Sequence, residues 1–218
     1  MALAIFDLDE TLISIDSDHA WGEFLEQAGL VDADAHRKQN DAFYEDYKLG
    51  QLDIDAYLSF ACEVLAQYEM AELKDFRAKF IEDRILPVVL PKAKALVESH
   101  RQQGDELLVI TSTSRFVTEP IVALFGIDNL IAPEPEIVDD RYTGNIVGTP
   151  SYREGKVTRL NDWLQGRPFT MAGSYFYSDS HNDLPLLKVV DHPVAVDPDD
   201  TLRQVAASAA WQTISLRP

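Results

Sequence analysis

Four short stretches of this 218-residue chain carry side chains able to handle a phosphate. Asp7 and Asp9 stand two residues apart where the apolar run 3–6 ends. Thr111-Ser112-Thr113-Ser114 closes a second run, 107–110, with hydroxyls and backbone N–H groups ahead of a helical pattern, a natural anion cradle. Lys156 opens a helix after Arg153-Glu154-Gly155, and Ser178-Asp179-Ser180-His181-Asn182-Asp183 follows the run 174–177. Four carboxylates meeting in one crevice would repel one another without a cation. Mg2+ suits such oxygen ligands, usually taking one or two carboxylates with waters and a substrate phosphate. A carboxylate beside it can attack phosphorus and form an aspartyl-phosphate. A second can protonate the leaving oxygen and then activate water, while a lysine and a hydroxyl hold the remaining charge. Singly, each stretch has an ordinary explanation: acidic pairs are common at strand-end turns, and a lone lysine at a helix start is usually solvated. The ordered set points to metal-assisted phosphoryl transfer.

These residues must be brought together by the elements between them. The runs 3–6, 107–110, 174–177 and 193–196 are short and continuously apolar, as interior parallel strands are, and 211–216 reads as a terminal strand. Helical patterns at 92–103, 117–125, 156–164, 184–190 and 201–207 separate them. Strands alternating with helices predict an α/β fold, a doubly wound parallel sheet that binds ligands at the carboxyl ends of its strands. Residues 17–84 contain no convincing strand. Helical patterns there cover 20–28, 35–49, 54–67 and 70–85, with turns at Gly29 and Gly50-Gln51 and Asp53 as an N-cap. That is too much helix for one crossover. It predicts a helical domain, 17–85, inserted into a core made of 1–16 and 86–218. Hinges are expected near 12–15 and 86–91, where Pro87 and Pro91 mark the return to the sheet. Residues 136–146 read as a small β-hairpin.

Composition excludes several classes. The formal charge of −18 disfavours nucleic acid and anionic membranes as partners. Cys62 is the sole cysteine, so no intrachain disulfide and no cysteine-rich zinc site can form. The first residues meet Asp7 too early for a signal peptide, and no apolar run nears the ~18 residues of a membrane span. A cytoplasmic protein, monomer or homodimer, acting on a small phosphorylated metabolite is expected. Residues 148–156 only superficially resemble a P-loop, because Pro150 stands where the first glycine is needed and Val157 follows the lysine. A phosphoacceptor signalling domain shares the strand-end aspartates, hydroxyl and lysine, but needs no inserted lid.

Together, Asp7-x-Asp9-x-Thr11, Thr111, Lys156 and Asp179-x-x-x-Asp183 resemble the four motifs of the haloacid dehalogenase superfamily of phosphatases. The helical insert resembles that superfamily's C1 cap. The chain is most similar to the phosphoserine-phosphatase-like branch. Asp16-Ser17-Asp18-His19-Ala20-Trp21 and Arg153-Glu154-Gly155-Lys156-Val157 are similar to strings in a bacterial group assigned partly as histidinol-phosphatases. The resemblance implies that Asp7 is nucleophile and metal ligand. Asp9 is then the general acid/base and binds Mg2+ through its backbone carbonyl. Thr111 and the Ser112 N–H hold phosphate, Lys156 bridges Asp7 and phosphate, Asp179 is the last protein ligand and Asp183 supports the metal or its waters. Two departures stand out: Ser-Asp-Ser-His-Asn-Asp replaces Gly-Asp-Gly-x-Asn-Asp, and Thr-Ser-Thr-Ser replaces Ser-Gly-Gly.

Asp16 and Asp18 lie at the threshold of the insert. Phosphoserine phosphatases place a glutamate at the position of Asp16 to bind the substrate amine, so both aspartates are candidate substrate-binding residues. Either could instead cap the first insert helix. The same relatives grip the substrate carboxylate with an arginine in a cap helix. Here that position falls near Ala61, and no Lys or Arg lies between Leu52 and Gln67. The expected substrate is therefore an amine-bearing ester without a carboxylate: L-histidinol phosphate first, phosphoserine second, phosphoethanolamine or phosphocholine third. Arg37, Lys38 or Lys48 could alter that order by reaching in from another helix. The aromatics Trp21, Phe43, Tyr44, Tyr47, Tyr57, Phe60 and Tyr68 are expected mostly to fill the core of the insert, with one or two facing substrate. His19 and His181 are expected to act mainly as hydrogen-bonding residues.

Overall fold

The computed structural model describes residues 2–218; Met1, the first residue of the expected core segment, lies outside the described residues. Strand β1 (Leu3–Phe6) is buried on both faces, Ala4 and Phe6 in one apolar cluster and Leu3 and Ile5 in the other, as strand alternation requires. Four helices follow: α1 (Ser17–Gln27), α2 (Ala33–Lys48), α3 (Ile54–Gln67) and α4 (Met70–Phe80). The helical pattern at 70–85 does not form one uniform helix: a π-helical turn occupies Ile81–Ile85, and a 3-10 turn containing Pro87 covers Leu86–Val88. Hydrophobic spacing continues through that segment, so periodicity alone could not show the widened turn.

Helix α5 (Pro91–Gln103) carries Pro91 at its start, where a missing N–H is harmless, and stops at left-handed Gly104. Then come β2 (Glu106–Ile110), α6 (Arg115–Ala123), β3 (Asn129–Ile131), the hairpin strands β4 (Glu134–Val138) and β5 (Arg141–Val147), and α7 (Glu154–Leu164). The chain finishes with β6 (Tyr175–Ser178), α8 (Leu184–Leu187), β7 (His192–Val196), α9 (Asp200–Ala209) and β8 (Gln212–Ile214). The main sheet has the order β3-β2-β1-β6-β7-β8, and all its pairings are parallel. Strand β3 has no counterpart among the sequence expectations, being three residues long and opening on Asn129 after Asp128. The sequence order runs outward from β1 on both sides, so the switch point lies between β1 and β6. Crevices form there at the carboxyl ends of strands.

The two passages into and out of the helical insert run side by side. Ile13 and Val89 form an antiparallel bridge, the Ser14 N–H donates to the Val88 carbonyl at 3.0 Å, and the Leu90 N–H donates to the Leu12 carbonyl at 3.3 Å. The base of the insert is an aromatic cluster: Trp21 meets Phe80 at 5.2 Å and Phe116, from α6, at 5.7 Å, both edge-on. The β4–β5 hairpin belongs to the sheet-forming half of the sequence but packs its inner face on α3.

Candidate active site

β1 and β6 deliver Asp7 and Asp179 to the switch point. The Asp7 N–H donates to the Tyr177 carbonyl at 2.9 Å, extending the strand pairing by one residue. Lys156, 1% exposed, lies in the first turn of α7, where its Nζ donates to Asp7 Oδ1 at 2.9 Å and Asp183 Oδ2 at 2.8 Å. Asp183 also accepts from the Ser178 hydroxyl at 2.7 Å. α7 can start so close to the loop before it because residue 155 is glycine: a Cβ there would fall 2.0 Å from the Pro150 carbonyl oxygen.

Asp9 Oδ1 accepts from the Ser17 N–H at 2.8 Å; Oδ2 accepts from the Thr113 hydroxyl at 2.8 Å and the Thr111 hydroxyl at 3.4 Å. The Thr113 N–H in turn donates to Thr111 Oγ1 at 3.1 Å. Ser112 lines the crevice beside them, its hydroxyl donating to the Ser151 carbonyl at 3.3 Å. Asp179 Oδ1 accepts from the Thr11 hydroxyl at 2.9 Å. The structure thus gathers all seven core residues singled out in the sequence: Asp7, Asp9, Thr111, Ser112, Lys156, Asp179 and Asp183. Thr11, named in the first motif, and Thr113, inside the second, carry no assigned role in the sequence reading. Their orientation toward the two aspartates depends on strand-end geometry that residue spacing does not show.

Burial dominates the electrostatics. It pushes Asp7 up to about 8 against the opposing pull of Lys156, and Asp9 up to about 6 with a contribution from Asp16. Asp179 is raised well above the carboxylate range, by burial first and then by Asp7. Lys156 is buried too, but Asp183 and Asp7 hold it above the usual lysine value, so it stays charged. Two desolvated carboxylates, one of them raised further by the charge of the other, are the donor set a hard cation relieves. Among the described residues no cluster of three or more His, Cys, Asp or Glu side chains encloses an ion. A cation here would draw its other ligands from backbone, water and substrate, which is how Mg2+ is commonly held.

Above these groups the insert forms one wall of a crevice. Its insert side carries Asp16, Asp18 and the rings of His19, Phe43, Tyr44, Tyr47 and Tyr57, so more aromatics face the crevice than the one or two expected. No arginine or lysine is among its described lining residues. Arg37 pairs with Glu26 at 3.1 Å, and Lys48 pairs with Glu45 while lying over the Tyr44 ring, so neither serves the crevice; Lys38 does not line it either. Asp16 caps α1, accepting from the Asp18 and His19 N–H groups at 2.9 and 2.8 Å. His19 bonds Asp41 at 2.9 Å and stacks on Tyr44, and His181 bonds Asp199 at 2.8 Å, as hydrogen-bonding residues do.

The tip of the insert, between α2 and α3, touches the core. Asn182 Nδ2 donates to the Tyr47 carbonyl at 2.9 Å, and Arg153 Nη1 donates to the Gly50 carbonyl at 3.2 Å. Gly50 has φ +67°, and a Cβ there would fall 2.6 Å from His181 Nε2.

Comparison with known proteins agrees with this arrangement. A family model described as haloacid dehalogenase-like hydrolase matches residues 4–188. A histidinol-phosphatase of Neisseria meningitidis serogroup C (strain 8013) is 50% identical over 219 residues, covering 99% of both chains. A solved protein of unknown function from Bordetella pertussis Tohama I superposes with a TM-score of 0.93 at 43% identity, covering 99% of this chain and 98% of that one. A substrate-bound phosphoserine phosphatase shares the fold, with a TM-score of 0.70 at 14% identity over 93% of this chain and 89% of its own. The chain belongs to the haloacid dehalogenase-like hydrolase family. Within that family it is a phosphatase, which displaces the signalling-domain alternative. No helix among the described residues is long and apolar enough to cross a membrane.

Proposed function

We propose that this phosphatase is a Mg2+-dependent phosphomonoesterase that hydrolyses L-histidinol phosphate through an aspartyl-phosphate, in histidine biosynthesis. The observation that carries the reading is the crevice itself: an acid pair and a wall of aromatic rings, with no lining cation, above the Asp7–Lys156–Asp183 triad. The 50% identity to a histidinol-phosphatase over the whole chain supports it. The ester has an amine for Asp16 or Asp18, a flat imidazole for the rings and no carboxylate that would need an arginine.

In this reading an Asp7 carboxylate oxygen attacks phosphorus while Lys156, fixed by Asp183, orients Asp7 and offsets charge on the phosphate oxygens. Thr111 and the Ser112 N–H hold the same oxygens. Asp9 gives its proton to the departing alcohol, and then takes one from the water that opens the aspartyl-phosphate. Its elevation to about 6 keeps both forms accessible near neutral pH, and Thr113 and Ser17 fix its direction. Asp7, Asp179 and the Asp9 backbone carbonyl would hold Mg2+, with Asp183 in support, and the ion supplies charge neutralisation at the transferring phosphoryl group. Residues 17–85 act as a cap on a core of 1–16 and 86–218, hinged where Ile13 and Val89 pair, and exclude bulk water when closed. The enzyme works in the cytoplasm, as a monomer or homodimer.

Phosphate release from L-histidinol phosphate tests this. Turnover should require Mg2+, stop reversibly with EDTA and disappear in Asp7→Asn. Full activity of that variant in chelator-treated buffer would refute the mechanism.

A further inference from the structure

The two acidic residues at the cap threshold are not equivalent. Asp16 precedes α1 in extended backbone, and its Oδ1 accepts both the Asp18 N–H and the His19 N–H. It is engaged in holding the helix start together. Asp18 lies one residue inside the helix, is only 7% exposed, and lines the crevice. Its Oδ2 is buried and has no hydrogen-bond partner, one of three such side-chain atoms among the described residues. Of those three, Asp18 alone lines the crevice: Ser17 and Ser174 do not. A buried carboxylate oxygen without a donor is costly, and native structures rarely leave one so unless something else supplies the donor.

Resting on the reading of the crevice as the site of an amine-bearing phosphate ester, we infer that Asp18 binds the substrate ammonium through Oδ2 and sets the amine specificity, whereas Asp16 is a helix cap. Tyr57, on α3, also lines the crevice, and its hydroxyl stands beside the Asp18 carboxylate. An ammonium N–H group at Oδ2 completes the set of donors that the protein leaves incomplete. Carboxylate, ammonium and phosphate then lie along one crevice, so a substrate without the cation gains nothing from Asp18.

The test is the specificity ratio, kcat/KM for L-histidinol phosphate divided by kcat/KM for p-nitrophenyl phosphate, in wild type, Asp18→Asn and Asp16→Asn. Truncating one partner of a buried charge pair typically costs a few kcal/mol, so the ratio should fall about a hundredfold in Asp18→Asn. It should change less than about threefold in Asp16→Asn, because asparagine caps helices as well as aspartate. A melting curve run alongside separates folding from recognition. Should Asp18→Asn fail to fold, L-histidinol binding to Asp18→Ser in the Asp7→Asn background, by calorimetry, gives the same answer. A ratio that holds in Asp18→Asn and falls in Asp16→Asn overturns the assignment while leaving the amine-bearing substrate class intact. A wild-type ratio near one overturns the substrate class itself.

Discussion

Asp9 shows how much of this chemistry is local. Its carboxylate is gripped by one hydroxyl and one backbone N–H at 2.8 Å each, so its direction is set before substrate arrives. Asp9→Asn should therefore lose about 10²- to 10⁴-fold in kcat, the usual contribution of a positioned acid/base, while the fold survives. Thr113→Val removes the hydroxyl partner and leaves the Ser17 N–H in place. It should lower kcat about tenfold with little change in KM, measured on the same ester, because hydrogen bonds to charged groups contribute about 1.5 kcal/mol or more. An unchanged kcat would mean that Ser17 and Thr111 position Asp9 without Thr113. That the seven core residues would meet was legible in the sequence, because each sits at a strand end or helix start that pattern could locate. The division between Asp16 and Asp18 was not, since both have the same chemistry and nearly the same position. Only the partner list of each oxygen separates them.

At the scale of elements, the tip of the insert meets the core through two backbone carbonyls and the Tyr47 ring, which lies 6.2 Å from the Tyr152 ring. Asn182 takes the Tyr47 carbonyl and Arg153 the Gly50 carbonyl. Because Gly50 is left-handed and closely approached by His181, Gly50→Ala is strained twice over. It should hold the cap ajar, lowering kcat/KM by about tenfold and making the 86–91 linker more susceptible to limited proteolysis. Wild-type kinetics and wild-type proteolysis would show that the tip contact is not needed for closure. If residues 17–85 close as proposed, large substrates are excluded, and a folded phosphoprotein should not be dephosphorylated at rates matching a small ester. None of these contacts could be read from the sequence, because Tyr47 and Asn182 are 135 residues apart. Helix α3 could be: Asp53 caps it, and apolar spacing defines its whole length, Ile54–Gln67. Strand β3 escaped notice because three residues are too few to show alternation, and its place in the sheet comes from pairing with β2.

The whole molecule carries a net charge of −18 and buries several carboxylates around one crevice. Burial raises Asp7 to about 8, Asp18 to about 7, and Asp9 and Asp16 to about 6. The unfolded chain releases these protons near pH 4. Between about pH 4 and 8 the folded state therefore binds more protons than the unfolded state, and stability falls as pH rises through that window. Melting temperature in EDTA should be lower at pH 8 than at pH 5.5. Mg2+ should raise it more at pH 8, where the carboxylates it pairs with are ionised. A melting temperature that climbs across the window in EDTA would mean that these groups are not desolvated in the free enzyme.

The identity of the ester ties the three scales together, because it depends on Asp7 chemistry, cap closure and the absence of a lining cation at once. The most direct measurement is kcat/KM for L-histidinol phosphate and L-phosphoserine under identical Mg2+ conditions. Leaving a substrate carboxylate buried without a charged partner costs several kcal/mol, so histidinol phosphate should be preferred on the order of a thousandfold. A preference for phosphoserine would contradict the account and require a carboxylate-binding group on the cap.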